Sequence, residues 1–153
     1  MKVLIIDDSD YKIDALKSVL ESGKFATNIA IARSFHTGVR QLQEFAPDLV
    51  LLDMSIPTFE GPQGELGGRT RLFGGRELLA EMEFLELKAR VIVVTQFDRF
   101  GDGPNTVELN ALLADLTDAH PELVLGGIYY SNTDTRWRDK LWGFLGRCQE
   151  ECG

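Results

Sequence analysis

The sequence predicts a doubly wound α/β domain, with a five-stranded parallel sheet in the order 2-1-3-4-5 and helices on both faces. Three observations carry this. The runs Val3-Leu4-Ile5-Ile6, Leu49-Val50-Leu51-Leu52 and Val91-Ile92-Val93-Val94 are short and apolar without alternation, the pattern of strands buried on both faces. The stretches between such runs repeat their apolar residues at helical spacing. Strict alternation of strand and helix forces parallel crossovers of one hand. That order sets the first and third strands side by side at the switch point, where open α/β sheets bind their ligands.

In chain order, Lys2 to Asp7 is the first strand, and Ser9 or Asp10 can cap the helix after it. Ile13, Leu16, Val19 and Leu20 give that helix one apolar face, and Gly23 is a plausible stop. Thr27 to Ala32 is the second strand. Ser34 caps a second helix with Phe35, Val39 and Leu42 on one stripe, and the third strand follows Pro47 and ends on Asp53. Residues 54–75 are punctuated by Pro57, Pro62 and several glycines and read as a long loop leaving directly from Asp53. It carries Arg69, Arg71 and Arg76, and reads either as a cover for the acidic strand ends or as a solvated insertion. Glu77 to Leu87 is a third helix, with Leu78, Leu79, Met82 and Leu85 inward. Val91 to Thr95 is the fourth strand, and a second long connection spans about 96–104. Asn105, with Glu108 three residues on, reads as a capping box for a fourth helix facing the core with Leu109, Leu112, Leu113 and Leu116. Leu123 to Tyr130 is the fifth strand. Thr133 to Glu150 is the last helix, with Trp137, Leu141, Leu145 and Cys148 as its buried stripe and Trp142 off it.

The 153 residues suit one domain, 1–153, with a full core, and no output domain is expected. A net charge of −8 argues against nucleic-acid backbone as a partner. No apolar run reaches the length of a membrane helix, and no signal peptide precedes the first strand. Cys148 and Cys152, without metal-type neighbours in sequence, read as reduced thiols of a cytoplasmic protein.

The chemistry gathers at the strand ends. If the first and third strands are neighbours, Asp7, Asp8 and Asp53 form a carboxylate cluster that must take up protons or bind a cation. A hard divalent ion, Mg²⁺ by preference, satisfies such oxygens while keeping waters. The site can then hold a phosphoryl group, with Asp53, alone at its strand end, as the nucleophile of an aspartyl-phosphate. Asp7 and Asp8 are better placed for the metal, and Thr95 can donate its hydroxyl to a phosphoryl oxygen. A lone Asp after a strand is usually a cap or a turn former; the combination across three strands is far more specific.

With Val3 to Asp8, Leu49 to Pro57 and Val91 to Thr95 in place, the chain resembles the receiver domains of two-component response regulators, a flavodoxin-like (CheY-like) fold. The resemblance implies that Asp53 accepts phosphate from a histidine kinase. It implies that Asp8 binds Mg²⁺ directly, Asp7 through water, and the Ser55 carbonyl completes the protein ligands. Thr95 becomes the switch residue. Output passes through the face of the fourth helix, fifth strand and fifth helix, where Trp142 is a candidate contact.

The sequence departs from that family after the fifth strand. Aligning Gly126-Gly127-Ile128-Tyr129-Tyr130 puts Ser131 where the family has a lysine on the phosphoryl oxygens, and Asn132 where a proline is usual. The aromatic switch position falls on Ile128, or on Tyr129 with a slip of one residue. A hydroxyl cannot replace a charge-assisted contact. One expectation is that Arg69 or Arg71 supplies the missing cation. Three functions compete: a stand-alone phosphoryl-accepting switch; a pseudo-receiver that binds proteins without phosphate; and a Mg²⁺-dependent phosphatase of the haloacid-dehalogenase type built on Asp8-Ser9-Asp10. The last lacks its downstream lysine and acidic pair and leaves Asp53 idle.

Overall fold

The computed structural model describes residues 1–26, 28–60, 66–71, 74–96, 99–100 and 107–152. The first half of the chain forms β1 (Lys2–Ile6), α1 (Asp10–Ser22), β2 (Asn28–Ala32), α2 (Phe35–Glu44) and β3 (Leu49–Leu52). Then come β4 (Ile56–Glu60), β5 (Leu66–Arg71), α3 (Gly74–Phe84), β6 (Arg90–Thr95), β7 (Arg99–Phe100) and β8 (Val107–Glu108). The chain closes with α4 (Leu109–Ala119), β9 (Val124–Tyr129) and α5 (Arg136–Cys152).

Five of these strands pair in parallel in the order β2-β1-β3-β6-β9. Counted along the chain, that is the predicted 2-1-3-4-5 arrangement. β1 and β3 are neighbours in the register Val3↔Leu49 to Ile6↔Leu52. The period of two divides each central strand between two cores. Leu4, Ile6, Val50, Leu52, Val91 and Val93 face α2, α3 and α4, where they meet Leu42, Leu78, Leu79, Met82, Leu112 and Leu116. Val3, Ile5, Leu49, Leu51, Ile92 and Val94 face α1 and α5, where they meet Ile13, Leu16, Leu20, Trp137, Leu141 and Leu145. All four stripe residues expected on the last helix, Cys148 included, are buried.

The helix starts read from sequence hold where a side chain can cap. Ser9 accepts from the Lys12 amide at the head of α1. Ser34 and Thr37 exchange bonds as a capping box at α2. α3 begins three residues before the expected Glu77 and ends before Leu85, because its first turn is fixed by the Gly75 amide donating to the Met54 carbonyl at 3.0 Å. α4 begins at Leu109 with Glu108 in the cap position, since Val107 and Glu108 pair with Phe100 and Arg99 in a short antiparallel ribbon; Asn105, the expected cap, lies outside the described residues.

Both long connections are corrected by the structure. Within 54–75, β4 and β5 form an antiparallel ribbon running from Ile56↔Arg71 to Glu60↔Leu66, with an irregularity between Pro57 and Phe59. Pro57 is tolerated because a two-stranded ribbon leaves amides outside the ladder. The glycines and prolines hid the β-forming Ile56, Thr58 and Thr70 from a reading based on alternation. Ile56 is fully buried in the α2–α3 core, which anchors the start of the insertion. Among the described residues no helix is long and apolar enough to cross a membrane.

Candidate functional site: an acidic cluster with a buried lysine

The C-terminal ends of β1 and β3 carry the cluster. The ladder between them continues to its last rung, the Asp53 amide donating to the Ile6 carbonyl at 3.0 Å. Asp7 and Asp53 each follow a strand at the odd position of the period. Their side chains therefore belong to the α1 side of the sheet, above Val3-Ile5 and Leu49-Leu51. Asp7, Asp8 and Asp53 each place a carboxylate oxygen within 4.8 Å of the other two. Asp7 is 1% and Asp53 4% exposed, while Asp8 is half-buried. Asp7 Oδ1 accepts from the Ser9 amide at 2.9 Å, which couples the cluster to the cap of α1. The Ser55 amide reaches Asp53 Oδ1 only at 3.5 Å.

The cluster contains a residue that the sequence reading did not assign to it. Lys12, on the first turn of α1, is 1% exposed. Its Nζ lies 2.6 Å from Asp7 Oδ2 and 3.6 Å from Asp53 Oδ1. The signal was present in the sequence: the stripe Leu20–Leu16, continued one turn toward the N-terminus, lands on Lys12. A lysine in a buried stripe needs a fixed counter-charge, and only the acidic strand ends could supply it there.

Electrostatics follow from this packing. Burial pushes the Asp53 carboxyl up to about 7; Lys12 pulls it down, and Asp7 and Asp8 push it up again. The Asp8 carboxyl is also raised, by burial first and by Asp7 second, with Lys12 and Arg33 opposing. Arg33 is ion-paired with Asp10 on the rim. With all groups ionised, three carboxylates and one ammonium leave a formal charge of −2. A hard divalent cation matches both that charge and the all-oxygen donor set.

Thr95 is fully buried at the end of β6, two residues past Val93, the partner of Leu52 across the sheet. It pairs with Tyr129, because a register shift between Val91 and Ile92 displaces the β6–β9 ladder. The residue paired with Thr95 is thus the half-exposed Tyr129, while Ile128 pairs with Val94 and is buried. Ser131 is bonded within its own turn, 2.8 Å from Thr133 Oγ1. The side chains of Arg69 and Arg71 lie outside the described residues, and Arg76 is exposed on α3. Trp142 is 48% exposed, but its ring meets Phe25 edge-on at 4.8 Å. That contact sets it at the seam of α5 with the end of α1, a correction to its expected place beside the fourth helix.

Residues 3–64, which run from β1 across β3 to the ribbon, match the response regulator receiver domain family. Over that stretch the chain is similar to receiver domains. Two relatives align with this chain over nearly their whole length. One is an uncharacterized protein, y4jR, of Sinorhizobium fredii, 29% identical over 92% of this chain and 94% of that protein. The other is the Detocs response regulatory protein DtcB of Enterobacter cloacae, 26% identical over 92% of this chain and 95% of that protein. Among solved receivers, the Mn²⁺-bound form of the response regulator Rcp1 shares the fold with a TM-score of 0.61 and 20% identity, over 94% of this chain and 90% of that one.

Proposed function

We propose that this receiver is a phosphoryl-accepting switch, taking a phosphoryl group on Asp53 from a histidine kinase or phosphotransfer protein and signalling through protein contacts. The observation that carries the reading is the convergence of three carboxylates within 4.8 Å at the junction of β1 and β3. Asp7, Asp8 and Asp53, with the Ser55 carbonyl, are the ligands we assign to Mg²⁺. When bound, that ion supplies positive charge to the phosphoryl oxygens.

The chain's own residues do the rest. An Asp53 carboxylate oxygen forms the new bond to phosphorus. The bond from phosphorus to the donor's nitrogen or oxygen breaks, and its electron pair leaves with the donor. Burial of Asp53 keeps water from the acyl phosphate and strengthens every charge contact around it. Thr95 donates its hydroxyl to the new phosphoryl group, and Tyr129, its partner across the ladder, passes the change to the β9 edge. Output contacts on the α4–β9–α5 face then include half-exposed Tyr129.

A second reading, a phosphate-independent interaction module in the same cytoplasmic setting, is favoured by the uncharged Ser131 and by a lysine already seated on Asp7. Acetyl phosphate with Mg²⁺, followed by intact mass, separates the two. The switch gains one phosphoryl group, and Asp53→Asn gains none. An unchanged wild-type mass favours the module. Turnover of a phosphomonoester lost in Asp8→Asn but kept in Asp53→Asn would instead point to a phosphatase.

A further inference from the structure

We propose that Lys12 is the phosphoryl-binding cation of this receiver, supplying from α1 the charge that is missing after β9. The proposal rests on Asp53 as the acceptor. At the end of β9, the position expected to hold a lysine falls on Ser131, or on Asn132 if the Thr95↔Tyr129 pairing sets the alignment. Neither bears a charge. Lys12 approaches the same carboxylate from the opposite element.

Three features of the geometry point to a ligand beyond the aspartates. The ammonium is buried, at a position where an apolar side chain would fill the stripe of α1 at lower cost in desolvation. Its nearer contact is Asp7 at 2.6 Å, yet it stays within 3.6 Å of the acceptor oxygen. Nζ has three donors, and the two carboxylate oxygens around it, at 2.6 Å and 3.6 Å, do not use all of them. A phosphoryl group on Asp53 would add strong acceptor oxygens just beyond that carboxylate, where unspent donors are available.

Lys12 and a divalent ion share Asp7, and this makes the role testable by sign. In the metal-free protein the ammonium neutralises Asp7 and so competes with a cation there. Toward a phosphoryl group it is attractive. A residue kept only for packing would weaken both kinds of binding together or neither.

The experiment titrates wild type, Lys12→Met and Lys12→Arg with Mg²⁺ alone, then with beryllofluoride in saturating Mg²⁺, reading intrinsic fluorescence and calorimetric heat. We expect Lys12→Met to bind Mg²⁺ at least as tightly as wild type but beryllofluoride about 10- to 100-fold more weakly, the range of a lost charged hydrogen bond. Lys12→Arg recovers part of that loss. Equal beryllofluoride affinity in wild type and Lys12→Met overturns the proposal, as does a parallel loss of both ligands. If Lys12→Met does not fold, Lys12→Gln, which keeps donors without charge, carries the same comparison. A wild type that binds no beryllofluoride and gains no mass from acetyl phosphate removes the acceptor reading itself, a result distinct from either failure of Lys12.

Discussion

The Lys12 ammonium sits 2.6 Å from Asp7 Oδ2, with both side chains almost wholly buried. Removing one member of such a pair leaves the other charge uncompensated, at a cost of about 3–5 kcal/mol. Lys12→Met is expected to lose that much unfolding free energy in EDTA and to regain much of it in Mg²⁺, because a divalent ion replaces the counter-charge. Urea unfolding with and without Mg²⁺ measures both; an equal loss in the two conditions would mean that the lysine serves packing alone.

Asp53 makes metal-free stability depend on pH. Burial, then the neighbouring aspartates, hold the Asp53 carboxyl up at about 7 against the pull of Lys12. In the unfolded chain it titrates near ~3.9. Between those values the native state keeps a proton that the unfolded state has released, so this group's contribution falls as pH rises from about 4 to about 7. Asp53→Asn abolishes that dependence and is expected to be more stable than wild type above pH 7 by on the order of a few kcal/mol. Paired urea curves across that range in EDTA test it, since the other carboxylates are common to both proteins. A wild type as stable as Asp53→Asn at pH 8 would contradict it.

Mg²⁺ is expected to raise the melting temperature of the wild type by mass action, about 2.7 kcal/mol at a hundredfold excess over Kd. Asp8 contributes one of the three converging carboxylates and is the most open of them. Asp8→Asn removes a formal charge from that site, so its thermal shift with Mg²⁺ is expected to be small. A full shift in Asp8→Asn would place the ion elsewhere.

Gly75 couples α3 to the strand end that carries Asp53. A Cβ there would come within 2.9 Å of the Met54 Cα and 3.0 Å of the Asp53 carbonyl oxygen. Neither atom is the end of a flexible chain, so the strand end itself must move. Gly75→Ala is expected to cost about 1–3 kcal/mol, as overpacking does, and to weaken Mg²⁺ binding although no ligand is changed. Unaltered Mg²⁺ affinity in a destabilised variant would show that the strain is absorbed by α3.

The sheet and its acidic edge were legible because each central strand is a short apolar run ending on a chemically distinctive residue. Val3–Asp8 and Leu49–Asp53 state burial on both faces and a charged terminus in a few letters. Ser34 and Ser9 announced their helices for the same reason: a cap is a local interaction. The features that escaped the reading are those set by partners distant in sequence. The ribbon of β4 and β5 depends on pairing across glycine- and proline-rich sequence with no clear alternation. The displacement of Tyr129 against Thr95 comes from a one-residue shift inside a ladder. Lys12 stood on the legible stripe of α1, but its reach to Asp53 depends on the sheet setting that strand end above it. The placement of Trp142 against Phe25 likewise follows from how α5 lies beside α1, which periodicity within α5 alone does not state.

The most direct test of the central claim is to locate the phosphoryl group. Wild-type protein treated with acetyl phosphate and Mg²⁺ is reduced with borohydride, which converts an aspartyl phosphate to homoserine, and its peptides are sequenced by mass. Homoserine at position 53 alone is the expected result. Homoserine at another carboxylate, or intact aspartate throughout, would contradict the account.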